Sequence, residues 1–367
     1  MGRTVIALGL GLALFGSLPS AVAQPAAQAF KLGTFERQGE VFLGVVLSDS
    51  QVIDLAQANA ALEGRDSSAK KLVMPGDMRE LITRYETELE GRLSAIASEV
   101  AAAPTAPAYV YPIASLKVLP PVRPSLILNG GGNYSAHTQG IAEQQQRAGG
   151  PAPAAVAPSV TAPGIWVHEP GDTRQNPYLF FKSPTIVSGA NDPIRMPIGR
   201  DKIDFECEFA IVIGKTADHV PLDRAADYIF GYTIEIDVSD RGGRGDRKMG
   251  TDWLVSKNHD TFGPIGPFIV PKQFLKDPLN TRQTFTLNGE VMQDSNTSRM
   301  THNIYELLHF ASNILTLRPG DIIAGGSPSG TNIERAEPRW MRPGDTAVCD
   351  IEGVGVQTHP VVPPTSD

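Results

Sequence analysis

The chain has 367 residues, of which 41% are hydrophobic and 20% charged, a composition typical of a globular protein. Its 40 acidic residues outnumber the 32 basic ones, which gives a formal net charge of −8. Without a basic stripe we expect no nucleic-acid partner and no binding to a membrane surface, and we favour a small-molecule partner.

The first 23 residues predict a secretory signal. Arg3 precedes an apolar stretch from Val5 to Leu18, and Ala21-Val22-Ala23 then gives a small-x-small cleavage pattern. The apolar stretch is shorter than the roughly 20 residues that a membrane-spanning helix needs. We therefore expect cleavage near Ala23 and export to the periplasm or the medium.

The remaining residues predict an α+β fold that is mainly β. Residues 24–116 predict a small N-terminal α+β domain and a linker, with a β meander over 30–55 and helical spacing of apolar residues over 78–100. Residues 117–367 contain several short β runs and one helix near 302–315, which indicates a rolled or barrel-like main domain. Inside it, the Ala/Pro/Gln-rich stretch of about 141–164 is interpreted as a mobile surface insertion.

The two cysteines of the chain, Cys207 and Cys349, allow at most one disulfide. Cys207 lies between two acidic residues on a predicted strand, where its side chain should point into the core. We expect a buried free thiol, and a disulfide is the alternative.

Carboxylates mark a candidate metal site. In the run FECEFAIVI, alternation places Glu206 and Glu208 on one face of a strand, and Asp237 ends another apolar strand, YTIEIDVS. Burying two such carboxylates without a cation costs several kcal/mol. Oxygen ligands without clustered Cys or His favour a hard ion such as Mg²⁺, Mn²⁺ or Ca²⁺. The alternative is two solvent-facing glutamates on a half-exposed strand.

Seven segments, taken in order, resemble the fumarylacetoacetate hydrolase family. They cover most of residues 117–357 and read LPPVRPSLILNGGGNYSAH, DFECEFAIVIGK, GYTIEIDVSDR, KNHDTFGPIGPF, LNGEVMQDSNTSRM, LRPGDIIAGGSPSGT and MRPGDTAVCDIEGVG. The resemblance implies a β-rich roll with a metal site at its mouth, a homodimer, and activity on 2-oxo acids or β-diketo acids.

The resemblance also implies roles for single residues. Glu206, Glu208 and Asp237 would bind the metal ion, and Lys257 would contact substrate or a developing oxyanion. His137 in the N-Y-x-x-H lid would move a proton or activate water, as histidine does near neutral pH.

Four further residues are implied to bind substrate. Ser327 and Thr331 belong to the GSPSGT turn, which would lie near the substrate carboxylate. Tyr134 belongs to the lid, and Arg241 follows the strand that ends in Asp237.

The lid departs from the family pattern. Family hydrolases often carry a glutamate three residues after the lid histidine, where this chain has Gly140. Glu143, about one helical turn further, is the predicted substitute and joins His137 and Lys257 as a catalytic candidate.

We predict a metal-dependent hydrolase that cleaves a carbon–carbon bond in an acylpyruvate or β-diketo acid. Two alternatives stay open: an isomerase or hydratase of 2-oxo acids or 2-hydroxymuconate-type acids at the same metal, and an exported binder of small oxo acids without turnover.

Overall fold

The computed structural model describes residues 1–2, 28–150, 160–246 and 251–365. The predicted signal, apart from its first two residues, lies outside these ranges, as do residues 151–159 of the predicted insertion. In the described ranges, no helix has the length and apolar character needed to cross a lipid bilayer.

Strands dominate the described chain. They are β1 (Lys31–Arg37), β2 (Glu40–Leu47), β3 (Gln51–Asp54), β4 (Val110–Pro112), β5 (Lys117–Leu119), β6 (Ile127–Gly130), β7 (Leu179–Lys182), β8 (Val187–Ser188), β9 (Ile194–Arg195), β10 (Ile203–Asp204), β11 (Cys207–Ile213), β12 (Ile229–Ile236), β13 (Ser239–Asp240), β14 (Gly263–Pro271), β15 (Arg282–Leu287), β16 (Glu290–Asn296), β17 (Ile322–Ala324), β18 (Thr346–Ile351) and β19 (Gly355–Val362). The prediction of a mainly β fold is confirmed.

The helices are fewer and mostly short. They are α1 (Leu55–Arg65), α2 (Met78–Arg84), α3 (Glu90–Ala102), α4 (Ser135–Arg147), α5 (Trp253–Lys257) and α6 (Ile304–Ser312). A π-helical turn joins α2 to α3, so the helix predicted over 78–100 is present. The helix predicted near 302–315 is α6, which Asn303 and Glu306 begin with a capping box.

Three sheets organise these strands. The largest runs β4-β3-β2-β1-β14-β12-β11-β17-β6-β7, with β5 on β1 and β8 on β14. A second sheet runs β16-β15-β18-β19-β9, and β10 pairs with β13. The strand order of the large sheet ends at β4 and β7, so within the described residues this sheet is open rather than a closed barrel. Because β1 pairs with β14, the sheet runs continuously across the predicted boundary near residue 116.

Both faces of the large sheet are covered, so its central strands are apolar on both sides. On β11, Phe209 and Ile211 pack towards the five-stranded sheet and α6, whereas Ala210 and Val212 pack towards the N-terminal helices α1–α3. The alternation continues to the start of the strand, where it places Glu208 on the same face as Ala210.

The expectation of a free thiol is wrong. Cys207 on β11 and Cys349 on β18 form a disulfide, with their Cα atoms 5.7 Å apart. The two strands belong to different sheets that pack face to face, so residues 142 positions apart in sequence become neighbours. Sequence spacing carries no information about this contact.

The interpretation of 141–164 as a mobile insertion is also corrected in part. Residues 141–147 form the second half of α4, because Ala, Gln, Glu and Arg are good helix formers. Gln139 and Glu143 bond across one turn of this helix at 2.8 Å. Further on, Trp166 is buried and its backbone pairs with Ala162.

Candidate metal centre

Three carboxylates converge where β11 and β12 meet the lid. Glu206 directly precedes β11, Glu208 lies on β11, and Asp237 directly follows β12. The backbone N–H of Asp237 donates to the Glu206 carbonyl at 2.8 Å. Ligand oxygens of these three residues lie within 4.8 Å of one another, and all three residues are buried. The structure thus brings together the three predicted metal ligands, and the alternative of two solvent-facing glutamates does not hold.

Three cations contact the triad directly, and two of them are Lys257 and Arg241. The Lys257 ammonium donates to Glu206 at 2.7 Å, to the Ser239 hydroxyl at 2.8 Å and to Asp237. Arg241 donates to Glu206 and, at 3.0 Å, to Asp204. Lys257, predicted to contact substrate or oxyanion, therefore lies at the centre.

A second lysine supports the triad from inside the protein. Lys182, on β7, is fully buried and donates to Asp237 at 2.6 Å and to the Phe262 carbonyl at 2.6 Å. It also lies 3.1 Å from Glu235, which faces Glu208 across the β11–β12 pair. The Asn129 amide bridges these two glutamates, at 2.9 Å from Glu235 and 3.3 Å from Glu208.

This acidic cluster carries more negative than positive charge. Its five carboxylates face three cations, which leaves two negative charges uncompensated when all are ionised; the members are Asp204, Glu206, Glu208, Glu235 and Asp237 against Lys182, Lys257 and Arg241. A divalent cation carries the charge that balances this excess, and the donors are the carboxylate oxygens that hard divalent ions prefer. The residues present therefore fit such an ion.

The titration behaviour of the cluster agrees with this charge count. Burial, with the charges of Glu235 and Asp237, raises the pKa of Glu208 well above its ordinary value. Burial also raises the pKa of Glu235 to about 7. Burial acts in the same direction on Glu206, but Lys257 and Arg241 outweigh it and hold the pKa of Glu206 below its ordinary value.

His137 points from the lid helix to the triad. It lies in the first turn of α4, is buried, and places Nε2 at 4.0 Å from a Glu206 oxygen. Its Nδ1 atom bonds a Glu334 oxygen at 2.5 Å. Burial alone would raise the pKa of Glu334, but the contacts with His137 and Thr331 lower it overall. Because the carboxylate is ionised and accepts the hydrogen bond, the proton of this bond belongs to Nδ1, and the Nε2 atom faces the acidic cluster.

The structure corrects the choice of Glu143 as the partner of His137. Glu143 is exposed and bonds Gln139 on the outer side of α4. It lies six positions after His137, which is well over one and a half helical turns and therefore a different face of the helix. Glu334, nearly two hundred residues away in sequence, is the carboxylate that contacts His137 instead.

The remaining predicted residues lie in or near the lid, and several of their polar atoms already form hydrogen bonds within the protein. Tyr134 is buried and accepts a hydrogen bond from Gln283 at 2.8 Å. Burial raises its pKa above the ordinary tyrosine value. The Ser327 hydroxyl accepts from Gln293 at 3.0 Å, and Thr331 donates to Glu334 at 2.7 Å.

An open cleft of about 860 Å³ adjoins the centre on its outer side. Ile141 on α4, Trp253 on α5 and Trp340 line it, together with Arg241 and Arg335. Trp253 stacks on Phe180 with ring centroids 4.5 Å apart. The cleft thus combines aromatic surface with guanidinium groups next to the triad.

Several residues of the centre escaped sequence reasoning, among them Lys182, Asn129 and Glu334. Lys182 ends an apolar strand, LFFK, and Asn129 ends SLILN, so each carried the signal of a polar residue where a buried strand stops. Glu334 carried one too, since Thr331 and Glu334 have the spacing of a capping box. None of these signals says which strand or turn lies beside the triad.

A buried acidic triad, with buried lysines and a histidine around it, defines a metal-binding protein of mixed α/β, mainly β, fold. Residues 131–362 match the family model described as fumarylacetoacetate (FAA) hydrolase, C-terminal. The chain belongs to the fumarylacetoacetate hydrolase family.

Two of the similar proteins are oxaloacetate tautomerases. Oxaloacetate tautomerase Fahd2a, mitochondrial, of Rattus norvegicus is 31% identical over 290 residues, which span 79% of this chain and 80% of that protein. Oxaloacetate tautomerase fahd2, mitochondrial, of Xenopus laevis is 37% identical over 188 residues, which are 51% of this chain and only 59% of that protein.

Two solved structures share the fold. A 5-carboxymethyl-2-hydroxymuconate delta-isomerase from Mycobacterium smegmatis superposes with a TM-score of 0.61 at 28% identity, covering 92% of this chain and 100% of its own. Maleylpyruvate hydrolase from Sphingobium sp. SYK-6, in complex with manganese(II) ion and pyruvate, gives 0.64 at 27% identity, covering 91% of this chain and 100% of its own. The chain is thus similar to tautomerases, isomerases and a hydrolase.

Proposed function

We propose that the protein is an enzyme that moves a proton at the carbon next to the carbonyl of a 2-oxo acid, interconverting its keto and enol forms. The observation that carries this proposal is the buried imidazole of His137, held by Glu334 through Nδ1 with Nε2 facing the triad. A free Nε2 lone pair can take a proton from carbon and return it to oxygen. The similarity to oxaloacetate tautomerases supports the same reaction class.

Glu206, Glu208 and Asp237 would hold the ion, for which we propose Mg²⁺ or Mn²⁺. When bound, the ion supplies positive charge that polarises a carbonyl and stabilises an enolate oxygen. Lys257 adds a second fixed positive charge beside Glu206 and Asp237. Arg241, at the edge of the cleft, attracts an incoming carboxylate. Thr331 acts through Glu334, since its hydroxyl donates there.

Hydrolysis of a carbon–carbon bond is the second candidate. The cleft of about 860 Å³ next to the centre leaves room for a substrate much longer than oxaloacetate, such as an acylpyruvate. His137 and Glu334 together can activate water as well as move a carbon-bound proton. The likeness to maleylpyruvate hydrolase supports this candidate.

Product analysis with Mg²⁺ separates the candidates. Oxaloacetate and an acylpyruvate are each followed by loss of enol absorbance and by NMR of the products, with and without a chelator. Chelator-sensitive interconversion without fragments supports the first proposal, and two fragments from the acylpyruvate support hydrolysis. Binding without turnover contradicts both and favours a non-catalytic binder of oxo acids.

A pair of histidine variants locates the base. His137→Gln should lower turnover at least about 100-fold, the size expected when a general base is removed. The exposed His219, whose ring contacts the exposed side chain of its neighbour Asp218 at 2.7 Å, serves as the matched control, and His219→Gln should leave turnover unchanged.

We also propose that the protein works outside the cytoplasm, as a homodimer. The Cys207–Cys349 disulfide supports the location, because disulfides persist in oxidising compartments. The homodimer rests on the family resemblance. Fractionation of the natural host, with the mass and N-terminus of the recovered protein and its size in solution, tests both parts. Recovery of an uncleaved, cytoplasmic monomer would contradict them.

A further inference from the structure

The carboxylate that holds His137 comes from a different part of the chain than the histidine. His137 belongs to α4, and Glu334 belongs to the short 3-10 turn Asn332–Glu334 that faces α4. The Nδ1–Oε1 distance is 2.5 Å. A second contact joins the two elements, since Arg147 at the end of α4 donates to the Glu334 carbonyl at 3.1 Å.

Gly140 lies on the side of α4 that faces this carboxylate. A Cβ atom added there would lie 2.7 Å from a Glu334 carboxylate oxygen, closer than real Cβ contacts allow, and 3.0 Å from Cγ, which is a tight contact. Glycine inside a helix is less stable than alanine at the same position, so a local reason for Gly140 is expected. The space that Gly140 leaves free is the space that the Glu334 side chain fills.

Glu334 is itself fixed in place. One of its oxygens accepts from the Thr331 hydroxyl at 2.7 Å and from the Thr331 N–H at 3.2 Å, and both oxygens lie 3.2 Å from the Gly330 N–H. These donors stabilise the charged form, and the pKa of Glu334 is below its ordinary value although burial opposes this. A carboxylate held in this way can orient an imidazole without reorganising.

We propose that Glu334 is the positioning residue for His137, and that Gly140 and Glu334 form one unit that replaces a carboxylate carried on the lid helix itself. Orientation of the base therefore requires α4 to be docked against the 330–334 turn. The proposal rests on the proposed function for its kinetic consequence, but the orientation of His137 is a property of the protein alone.

The first test uses the imidazole directly and needs neither metal nor turnover. Nitrogen-15 NMR of the protein reports which ring nitrogen of His137 carries the proton, with the signal assigned by its loss in His137→Gln. We expect the Nδ1–H form in the wild type and loss of that preference in Glu334→Ala. A wild-type His137 protonated on Nε2 alone would overturn the proposal even if the enzyme is active.

The second test is rescue. Glu334→Ala should lower kcat by about 10- to 100-fold, with KM and Mn²⁺ affinity little changed, the range seen when a group that orients a site residue is removed. Adding Gly140→Glu to Glu334→Ala places a carboxylate one turn from His137 on α4, and should restore at least about tenfold of the lost kcat and the Nδ1–H form. A role of Glu334 limited to capping its own turn would give no rescue.

Gly140→Ala alone gives a third, independent test that does not depend on Glu334→Ala folding. The added methyl displaces the Glu334 carboxylate, so kcat should fall about tenfold or more although the helix gains propensity. Gly91, in α3, has open space where a Cβ would go, and Gly91→Ala is the matched control with unchanged kcat. Equal kcat for Gly140→Ala, Gly91→Ala and wild type would overturn the proposal, as would a folded Glu334→Ala variant with wild-type kcat.

If the wild type turns over no oxo acid, the proposed function fails while the NMR result still decides the positioning role. If the wild type is active but the Glu334→Ala variant keeps both the Nδ1 proton of His137 and the wild-type kcat, only the positioning proposal fails.

Discussion

Glu208 faces Glu235 across the β11–β12 pair, so two acidic side chains lie opposite each other in the protein interior. Like charges in directly opposed positions destabilise a sheet. The Asn129 amide contacts both, and the Gly326 N–H donates to Glu208 at 2.8 Å, but neither supplies a positive charge. An ionised Glu208 should therefore cost stability when no cation is bound beside it.

Replacing Glu208 with Gln removes the charge but keeps the shape. We expect the metal-free protein to become more stable, because the repulsion with Glu235 disappears. Mn²⁺ affinity should fall by more than about 100-fold, which exceeds the usual effect of replacing a residue that only orients a metal ligand. Thermal unfolding in a chelator and calorimetric titration with Mn²⁺ measure the two effects. A variant that is less stable without metal, or that binds Mn²⁺ as the wild type does, would contradict this account.

Lys182 should behave in the opposite way. It is buried between Asp237 and Glu235, and the attraction of these two carboxylates outweighs burial and raises its pKa. Lys182→Met leaves both uncompensated and should cost about 3–5 kcal/mol in urea unfolding. Lys117, more than half exposed beside Glu36, is the control, and Lys117→Met should cost less than about 1 kcal/mol. Similar losses for both variants would refute the structural role of Lys182.

At the scale of elements, β11 links the triad to the second sheet. Cys207 lies between the two glutamates of the triad, and its disulfide to Cys349 on β18 ties β11 to the five-stranded sheet. The stacked rings of Phe205 and Phe285, 4.3 Å apart, reinforce the same junction. The strand that carries Glu208 is therefore anchored on the face opposite to the triad.

Removing the disulfide tests this junction. The double variant Cys207→Ala/Cys349→Ala should lose about 2–5 kcal/mol of unfolding free energy, since the bond closes a loop of 142 residues. Mn²⁺ affinity should fall as well, because the strand between the two ligands loses its anchor. Urea unfolding of the variant and of wild type with and without reductant gives the comparison. Two free thiols in the mass of the native protein would show that the bond is absent.

Local sequence patterns predicted strands and helices better than they predicted which distant side chains contact them. Strand alternation placed Glu206 and Glu208 on one face, and helical spacing placed the helix over 78–100, because both depend on residues a few positions apart. Lys182 and Glu334 reach the centre from elements far away in sequence, and only packing of the whole chain decides which distant side chain arrives. Glu143 failed as a prediction for this reason, since its choice assumed a local partner.

At the scale of the whole molecule, the centre lies where several parts of the chain meet. The lid helix α4, strands β7, β11 and β12 of the large sheet, and the 330–334 turn each contribute a group. Interactions between titratable side chains help to hold these parts of the chain together. Neutralising the excess negative charge should therefore stabilise the whole fold rather than one element.

Binding of Mn²⁺ should raise the free energy of global unfolding. At a free ion concentration 100 times the Kd, linkage predicts about 2.7 kcal/mol for one site that exists only in the folded state. Urea unfolding at several Mn²⁺ concentrations measures the increase, and the Glu208→Gln variant is the control that should show almost none. An ion effect of equal size in that variant would place the binding elsewhere in the protein.

We propose that His137 moves a carbon-bound proton beside a divalent cation, and deuterium exchange measures this step most directly. Oxaloacetate in heavy water with Mg²⁺ is followed by NMR at the carbon next to its carbonyl, with wild type, with His137→Gln, and with wild type plus chelator. We predict exchange accelerated by wild type alone and lost in the other two. Exchange no faster than the enzyme-free rate, or equally fast in His137→Gln, would contradict the claim.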